Sequence, residues 1–239
     1  MSDTKLKLEK VNITLDSKIV LNNVNLEVID GDIVSLMGSS ASGKTSLIRS
    51  IAGFHNITSG SIYIDEKIVD DSKKREDVSK RNVGVIFQDL ALFPHLTVRE
   101  NICFGLNTLS KKQQFDRAEK LEQILNIVDI KHRYPDQISG GQQQRVAIAR
   151  AIAPGPKLLL LDEPFSALDY ELKEGLMNDI KKLIKSEKIT AILITHSAEE
   201  AFKMSDKIAF ISENTIMQYA DPYDLYHKPV SKEIANFFG

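Results

Sequence analysis

Ile33-Val34-Ser35-Leu36-Met37, followed at once by Gly38-Ser39-Ser40-Ala41-Ser42-Gly43-Lys44-Thr45, decides how the rest of the chain is read. The first five residues form a continuous run, the pattern of a strand buried on both faces of a parallel sheet. The next eight fit G-x-x-x-x-G-K-[ST]. Small side chains let successive backbone N–H groups curl around an anion, and a helix N-terminus then presents further free donors. Leu47, Ile48 and Ile51 give that helix one apolar face, and Gly53 ends it. Strand, glycine turn and helix in this order read as a phosphate cradle over residues 38–45, with Ser46 in the first helical turn. Lys44 is placed to reach β- and γ-phosphates, and the Thr45 hydroxyl to ligate Mg²⁺. The ordinary alternative, a flexible Gly/Ser loop, does not account for the flanking strand and helix.

Outward from this point, Leu158–Leu161 and Ala191–Ile194 are further short apolar runs, and Val24, Leu26 and Val28 alternate with polar residues as in a half-buried strand. Leu172, Leu176, Ile180, Leu183 and Ile184 recur at helical spacing, with lysines opposite. A second amphipathic stretch runs from about Lys111 to Val128, with Leu121, Ile124, Leu125 and Val128 on one face. Strands alternating with helices predict βαβ units around a parallel sheet. Asp70–Arg81 mixes both charge signs and reads as a solvated connection. Residues 89–153, bounded by Gln88 and Pro154-Gly155-Pro156, are helix-rich and read as an inserted helical subdomain.

With 239 residues, 42% hydrophobic and 27% charged, the chain suits one large α/β domain carrying a smaller subdomain. Thirty-one basic against 33 acidic residues leave a formal charge of −2, which argues against a nucleic-acid partner. The single cysteine, Cys103, allows no internal disulfide. Met1–Lys10 lacks the apolar core of a signal peptide, and no stretch approaches the ~18 apolar residues of a membrane span. The expectation is a cytosolic-type protein that reaches a membrane only through a partner.

Asp162 and Glu163 follow the Leu158–Leu161 run. A carboxylate at the C-terminal end of a core strand, beside a phosphate loop, is where Mg²⁺ is held, and Glu163 is the candidate general base for an attacking water. Acidic pairs also simply end strands, so the neighbouring cradle carries the weight. His196 follows the predicted strand Ile189–Thr195, where an imidazole can donate to a phosphate oxygen and hold Glu163 or the water. Ile138-Ser139-Gly140-Gly141-Gln142-Gln143-Gln144-Arg145 precedes a helical run. Ser139 has N-cap chemistry and the two glycines expose N–H groups, so this is a second helix start suited to a phosphate. One chain already has its own cradle; a second makes sense if it serves the nucleotide of a facing copy.

With these motifs the sequence resembles the ATP-binding cassette (ABC) ATPases over essentially its whole length. Residues 38–45 look like the family's Walker A, Leu158–Glu163 the Walker B, and Ser139, Gly140, Gly141 and Gln142 the signature. Gln88 in Phe87-Gln88-Asp89 looks like the Q-loop glutamine, Ser166-Ala167-Leu168-Asp169 the D-loop, and His196 the switch histidine. The resemblance implies an α/β P-loop NTPase core of mostly parallel sheet (residues 1–88 and 154–239), an N-terminal antiparallel β subdomain, and a helical subdomain at 89–153. It further implies ATP and Mg²⁺, with Gln88 sensing the metal and the attacking water, and a homodimer packed head to tail. Each ATP would then lie between one Walker A and the partner's Ser139 and Gly141. Three departures are visible: Ile138 for a leucine, Ser197-Ala198 for Asp-Gln, and Leu15 where the family's adenine-stacking aromatic would fall. Leucine keeps apolar contact but loses stacking of about 1–3 kcal/mol.

Val85–Ile102 and Ser139–Asp169 resemble bacterial importers of the ferric-iron, polyamine, sulfate and thiamine group, nearest to the ferric-iron branch. This implies transport ATPase activity, integral-membrane permease partners and a solute-binding protein acting through them. It also implies a peripheral position at the cytoplasmic face of the inner membrane. Leu92-Phe93-Pro94 is a candidate surface for the permease. The chain stops at Asn236–Gly239, about where relatives begin a regulatory domain, so none is expected.

Overall fold

Alternating and continuous apolar runs sort the chain into two sheets. The structure, a computed structural model, describes residues 4–166 and 170–239. β1 (Thr4–Leu15) and β2 (Lys18–Ile29) form a long antiparallel hairpin. Its two-residue loop, Asp16-Ser17, takes positive φ at both positions, the geometry that matches strand twist. Along β2, Val24, Leu26 and Val28 are buried while Asn25, Glu27 and Ile29 face out. β3 (Ile33–Met37) is wholly buried and leads through the glycine turn into α1 (Lys44–Ala52), which ends on Gly53 at φ 91°. β4 (Ser59–Ile64) and β5 (Lys67–Asp70) complete a four-stranded antiparallel sheet in the order β2-β1-β4-β5.

After β6 (Val83–Ile86) come α2 (Val98–Cys103), α3 (Lys111–Ile124) and α4 (Gly140–Ile152), with short 3-10 turns at Val128–Ile130 and Pro135–Gln137. The chain returns as β7 (Leu158–Asp162), α5 (Tyr170–Ser186), β8 (Thr190–Ile194), α6 (Ala198–Met204), β9 (Lys207–Ser212) and β10 (Thr215–Ala220). It closes with α7 (Pro222–His227) and α8 (Lys232–Phe238). The second sheet runs β10-β9-β3-β8-β7-β6, parallel except for β10 against β9.

Both faces of this sheet are covered. Val34, Leu36, Leu158, Leu160, Ile192 and Ile194 pack with α1 and the antiparallel sheet. Ile33, Leu159, Leu161, Ala191 and Leu193 pack with α3, α4 and α5. That is why these strands read as unbroken apolar runs. Register then sets the functional edge: Leu36 lies beside Ile194, Asp162 beside Ile194, and Ile86 beside Leu161. Everything that follows these four strands therefore emerges side by side, at the C-terminal edge where parallel sheets bind ligands.

Two expectations need correction. α3 stops at Ile124 because Asn126 turns left-handed (φ 54°), so Val128 falls in a 3-10 turn and is 37% exposed. Ala118, Leu121 and Leu125 carry the buried face, with Ile124 half-buried beside it. Asp70–Arg81 is not solvated throughout, since its two end residues are only 2% and 3% exposed. The Arg81 guanidinium donates to Ser50 O (2.9 Å) and Ile51 O (2.8 Å), closing the C-terminal carbonyls of α1, and to Val69 O (3.2 Å), with Asp70 Oδ2 at 3.6 Å. Breaking such a pair leaves a buried charge uncompensated, so Arg81→Met is expected to cost about 3–5 kcal/mol. Urea denaturation checks this as a lowered midpoint at unchanged m-value.

Candidate functional site

The turn between β3 and α1 is built so that only glycine fits at its ends. Gly38 has φ 141°, and a Cβ there would lie 2.0 Å from Ile211 O; at Gly43 (φ 96°) it would lie 2.9 Å from the Leu21 side chain. Gly43 is also the N-cap of α1, and no side chain caps that helix. Among the described residues, α2, α3, α4, α6, α7 and α8 each have a Thr, Ser or Asp cap, so α1 is the exception. Its first-turn N–H groups await an acceptor from outside, which suits an anion. The loop's fit to a polyphosphate rests on this uncapped helix start, facing the cavity that the loop lines.

Lys44 Nζ donates to Gly38 O (3.0 Å), Ser39 O (2.7 Å) and Ser42 Oγ (3.1 Å). Burial lowers its pKa, while Glu163 and Asp162 pull the other way. Ser40, Ala41, Ser42, Gly43, Lys44, Thr45 and Ser46 line one cavity of about 440 Å³ together with Glu163 and His196. A neighbouring cavity of about 600 Å³ is lined by Thr45, Gln88, Asp162 and Arg49, among others, so Thr45 belongs to both.

Thr45 Oγ1 donates to Asp162 Oδ1 at 3.4 Å. Burial raises the Asp162 pKa, partly offset by that hydroxyl. A carboxylate, a hydroxyl and the Gln88 carboxamide are hard oxygen donors, the set that receives Mg²⁺ carried in on a phosphate. Glu163 has φ 50°, a left-handed strain in a non-glycine residue. Its N–H donates to Ile194 O (3.1 Å), and its carbonyl accepts from Ser166 N (3.3 Å) and Ser166 Oγ (3.0 Å). Its Oε1 lies 2.6 Å from His196 Nε2.

Ser139 caps α4: its Oγ accepts from Gln142 N (3.3 Å) while Gln142 Oε1 accepts from Ser139 N (3.0 Å). The hydroxyl proton stays free to donate elsewhere. A Cβ on Gly140 would meet nothing within 4 Å, so the fold of this chain does not itself require glycine there. Ser139, Gly140, Gly141 and Gln142 line neither cavity described above. Asp169 lies outside the described residues, as do Ala167 and Leu168. Leu15 is half-buried against the core between the sheets, and the strand residue lining the loop cavity is Val20, which sequence reasoning passed over because a strand valine carries no chemistry.

Two other residues escaped notice. Arg150, near the end of α4, donates to Leu90 O (2.8 Å) and Ala91 O (2.6 Å), two residues held left-handed just after Gln88, and faces the Phe93 ring. Buried Asn101 donates to Phe93 O, Leu96 O and Thr97 O and accepts from Phe93 N, shaping the same loop. The capping box at Thr97 and Glu100 marks where that loop ends but gives no sign of Asn101's bonds.

Set beside known proteins, residues 21–166 match the family described as "ABC transporter". Over 236 residues, 98% of the chain, it is 39% identical to a spermidine/putrescine import ATP-binding protein of Bacillus cereus, of which it spans 71%. It is also 39% identical to an Fe(3+) ions import ATP-binding protein of Fusobacterium nucleatum, of which it spans 62%. An ATP-binding cassette solved as a dimer in a post-hydrolysis state with ADP and Pi superposes with TM-score 0.80 and 32% identity, covering 91% of this chain and 98% of that one. A Clostridium perfringens component of an ABC transporter complex gives TM-score 0.85 and 27% identity, covering 93% and 90%.

Proposed function

Since the chain belongs to the ABC transporter family as an ATP-hydrolysing import subunit, we propose that it drives a membrane importer by clasping ATP between two copies packed head to tail. The observation carrying this is the single cavity that gathers Lys44, Thr45, Glu163 and His196, while Ser139 opens outward elsewhere. Lys44 exchanges its loop carbonyls for phosphate oxygens, and the uncapped N–H groups of α1 take the β-phosphate. Thr45, Asp162 and Gln88 would hold Mg²⁺, which when bound neutralises phosphate charge. Glu163 accepts the proton of the attacking water as oxygen bonds to the γ-phosphorus and the bridging bond breaks, giving ADP and phosphate. His196 Nε2 donates to Glu163 and keeps its carboxylate turned to that water.

Ser139 and Gly141 of each copy donate to the γ-phosphate held by the other, so hydrolysis cuts the bridge and lets the copies part. Residues 89–153 carry Ser139, and 1–88 with 154–239 carry Lys44 and Glu163, a division that lets one unit turn against the other. No helix among the described residues is long and apolar enough to cross a membrane. As an import subunit like those relatives, it is held by a permease at the cytoplasmic face. Phe93 packs at 4.2 Å on Phe104, itself 52% exposed, and this aromatic face receives the permease. Phe93→Asp is expected to cut permease-stimulated hydrolysis at least about tenfold while the chain's Tm stays within a few degrees. Full stimulation in the folded variant overturns the docking role.

The cargo is ferric iron, which the motifs suggest, or a polyamine; relatives of equal identity bear each name. Purification with the permease, followed by ATP turnover in the presence of ferric- or polyamine-loaded binding protein, decides between them. Stimulation by neither removes both cargoes.

A further inference from the structure

His196 is nearly half exposed, so packing alone does not aim its ring. Its backbone does, and that backbone is held from behind. Thr195, 2% exposed, donates its hydroxyl proton to Glu200 Oε2 and accepts from Ser197 N at 3.0 Å. The one hydroxyl thus ties the peptide that follows the imidazole to a buried carboxylate. Glu200, 5% exposed, caps back through its own N–H onto Ser197 Oγ (3.3 Å) and receives the Lys173 ammonium on Oε1. A carboxylate so deeply buried needs a paired cation and hydrogen-bond donors to hold it there. Lys173, one turn into α5, is that cation. These three side chains border a cavity of about 280 Å³ with Glu163, Ser166, His196 and Ser197, yet none of the three lines the cavity of the phosphate loop.

We propose that Lys173, Glu200 and Thr195 form a positioning relay that holds His196 Nε2 within reach of Glu163, serving hydrolysis and not ATP binding. The inference rests on Glu163 being the base. Without Lys173, the buried Glu200 side chain loses the cation that anchors it and swings from its place. The Thr195 hydroxyl then loses its acceptor and the 195–197 corner loosens. Misplacement of about 1 Å in a catalytic constellation costs on the order of 10²-fold in rate.

The test uses the full chain and four variants: Thr195→Val, which keeps shape but removes the hydroxyl, Thr195→Ser, Lys173→Met and Lys173→Arg. Steady-state kcat and KM for ATP, ATP-dependent dimers by light scattering, and Tm are measured on the same samples. Thr195→Val and Lys173→Met are expected to lower kcat about 10- to 100-fold. KM should stay within about threefold and dimers should persist, whereas Thr195→Ser and Lys173→Arg should stay within about threefold of wild type throughout. If Lys173→Met does not fold, the near-isosteric Thr195→Val alone decides. Wild-type kcat in folded Thr195→Val overturns the relay, as does a loss of KM and dimers in step with Tm. Glu163→Gln is run beside them. If it retains turnover, the base and the relay fall together; if it is inactive while Thr195→Val is active, only the relay falls.

Discussion

Glu163→Gln is expected to turn the hydrolase into a clamp. Its phosphate release should fall at least about 10²- to 10⁴-fold, the range a general base supplies, while ATP-loaded dimers accumulate. Glutamine matches glutamate in shape and tolerates the same backbone, which Ile194 and Ser166 pin at φ 50°. Its amide oxygen still accepts from His196 Nε2, now 2.6 Å from Oε1. What it cannot do is take a proton from water. It also removes one negative charge beside the phosphates, so affinity for the triphosphate should hold or rise. Phosphate-release assays and light scattering with ATP and Mg²⁺ read the two effects separately. Turnover near wild type rejects Glu163 as the base, and absence of dimers rejects the bridging role of the γ-phosphate.

Mixing two dead variants should restore activity. Lys44→Ala removes the ammonium proposed to bind the phosphates. Ser139→Asp keeps a competent cap on α4, because aspartate caps as well as serine, but on the proposed mechanism aims a carboxylate at the partner's γ-phosphate. Either variant alone spoils both sites of its homodimer. In a mixed dimer packed head to tail, one site inherits both lesions and the other inherits none. Random pairing at equal amounts then returns about a quarter of wild-type sites. A mixture no more active than its components would show that Ser139 serves its own chain's nucleotide or none.

The fold was readable wherever local pattern and tertiary environment agree. Ile33–Met37 and Leu158–Leu161 are continuous because helices or a second sheet cover both faces of their sheet. The glycines at 38 and 43 are legible because left-handed turns and close backbone approach exclude other residues. Ser139 announces its cap through Gln142 three residues on. What escaped depends on partners remote in sequence. Arg81 looks like one more charge in a polar run until its bonds to Ser50 and Ile51 are seen. Lys173 and Glu200 sit on different helices, and neither side chain declares the other. Val128 kept the helical period past the point where Asn126 had already broken it.

The bare start of α1 divides labour between the two ends of the nucleotide. A diphosphate already brings acceptor oxygens to those amides, so spent nucleotide should go on bracing the helix and raising the melting temperature of a lone subunit. On the proposed mechanism the last phosphoryl group is then left for pairing alone, the one part of the fuel whose loss would separate the twins without unsettling either.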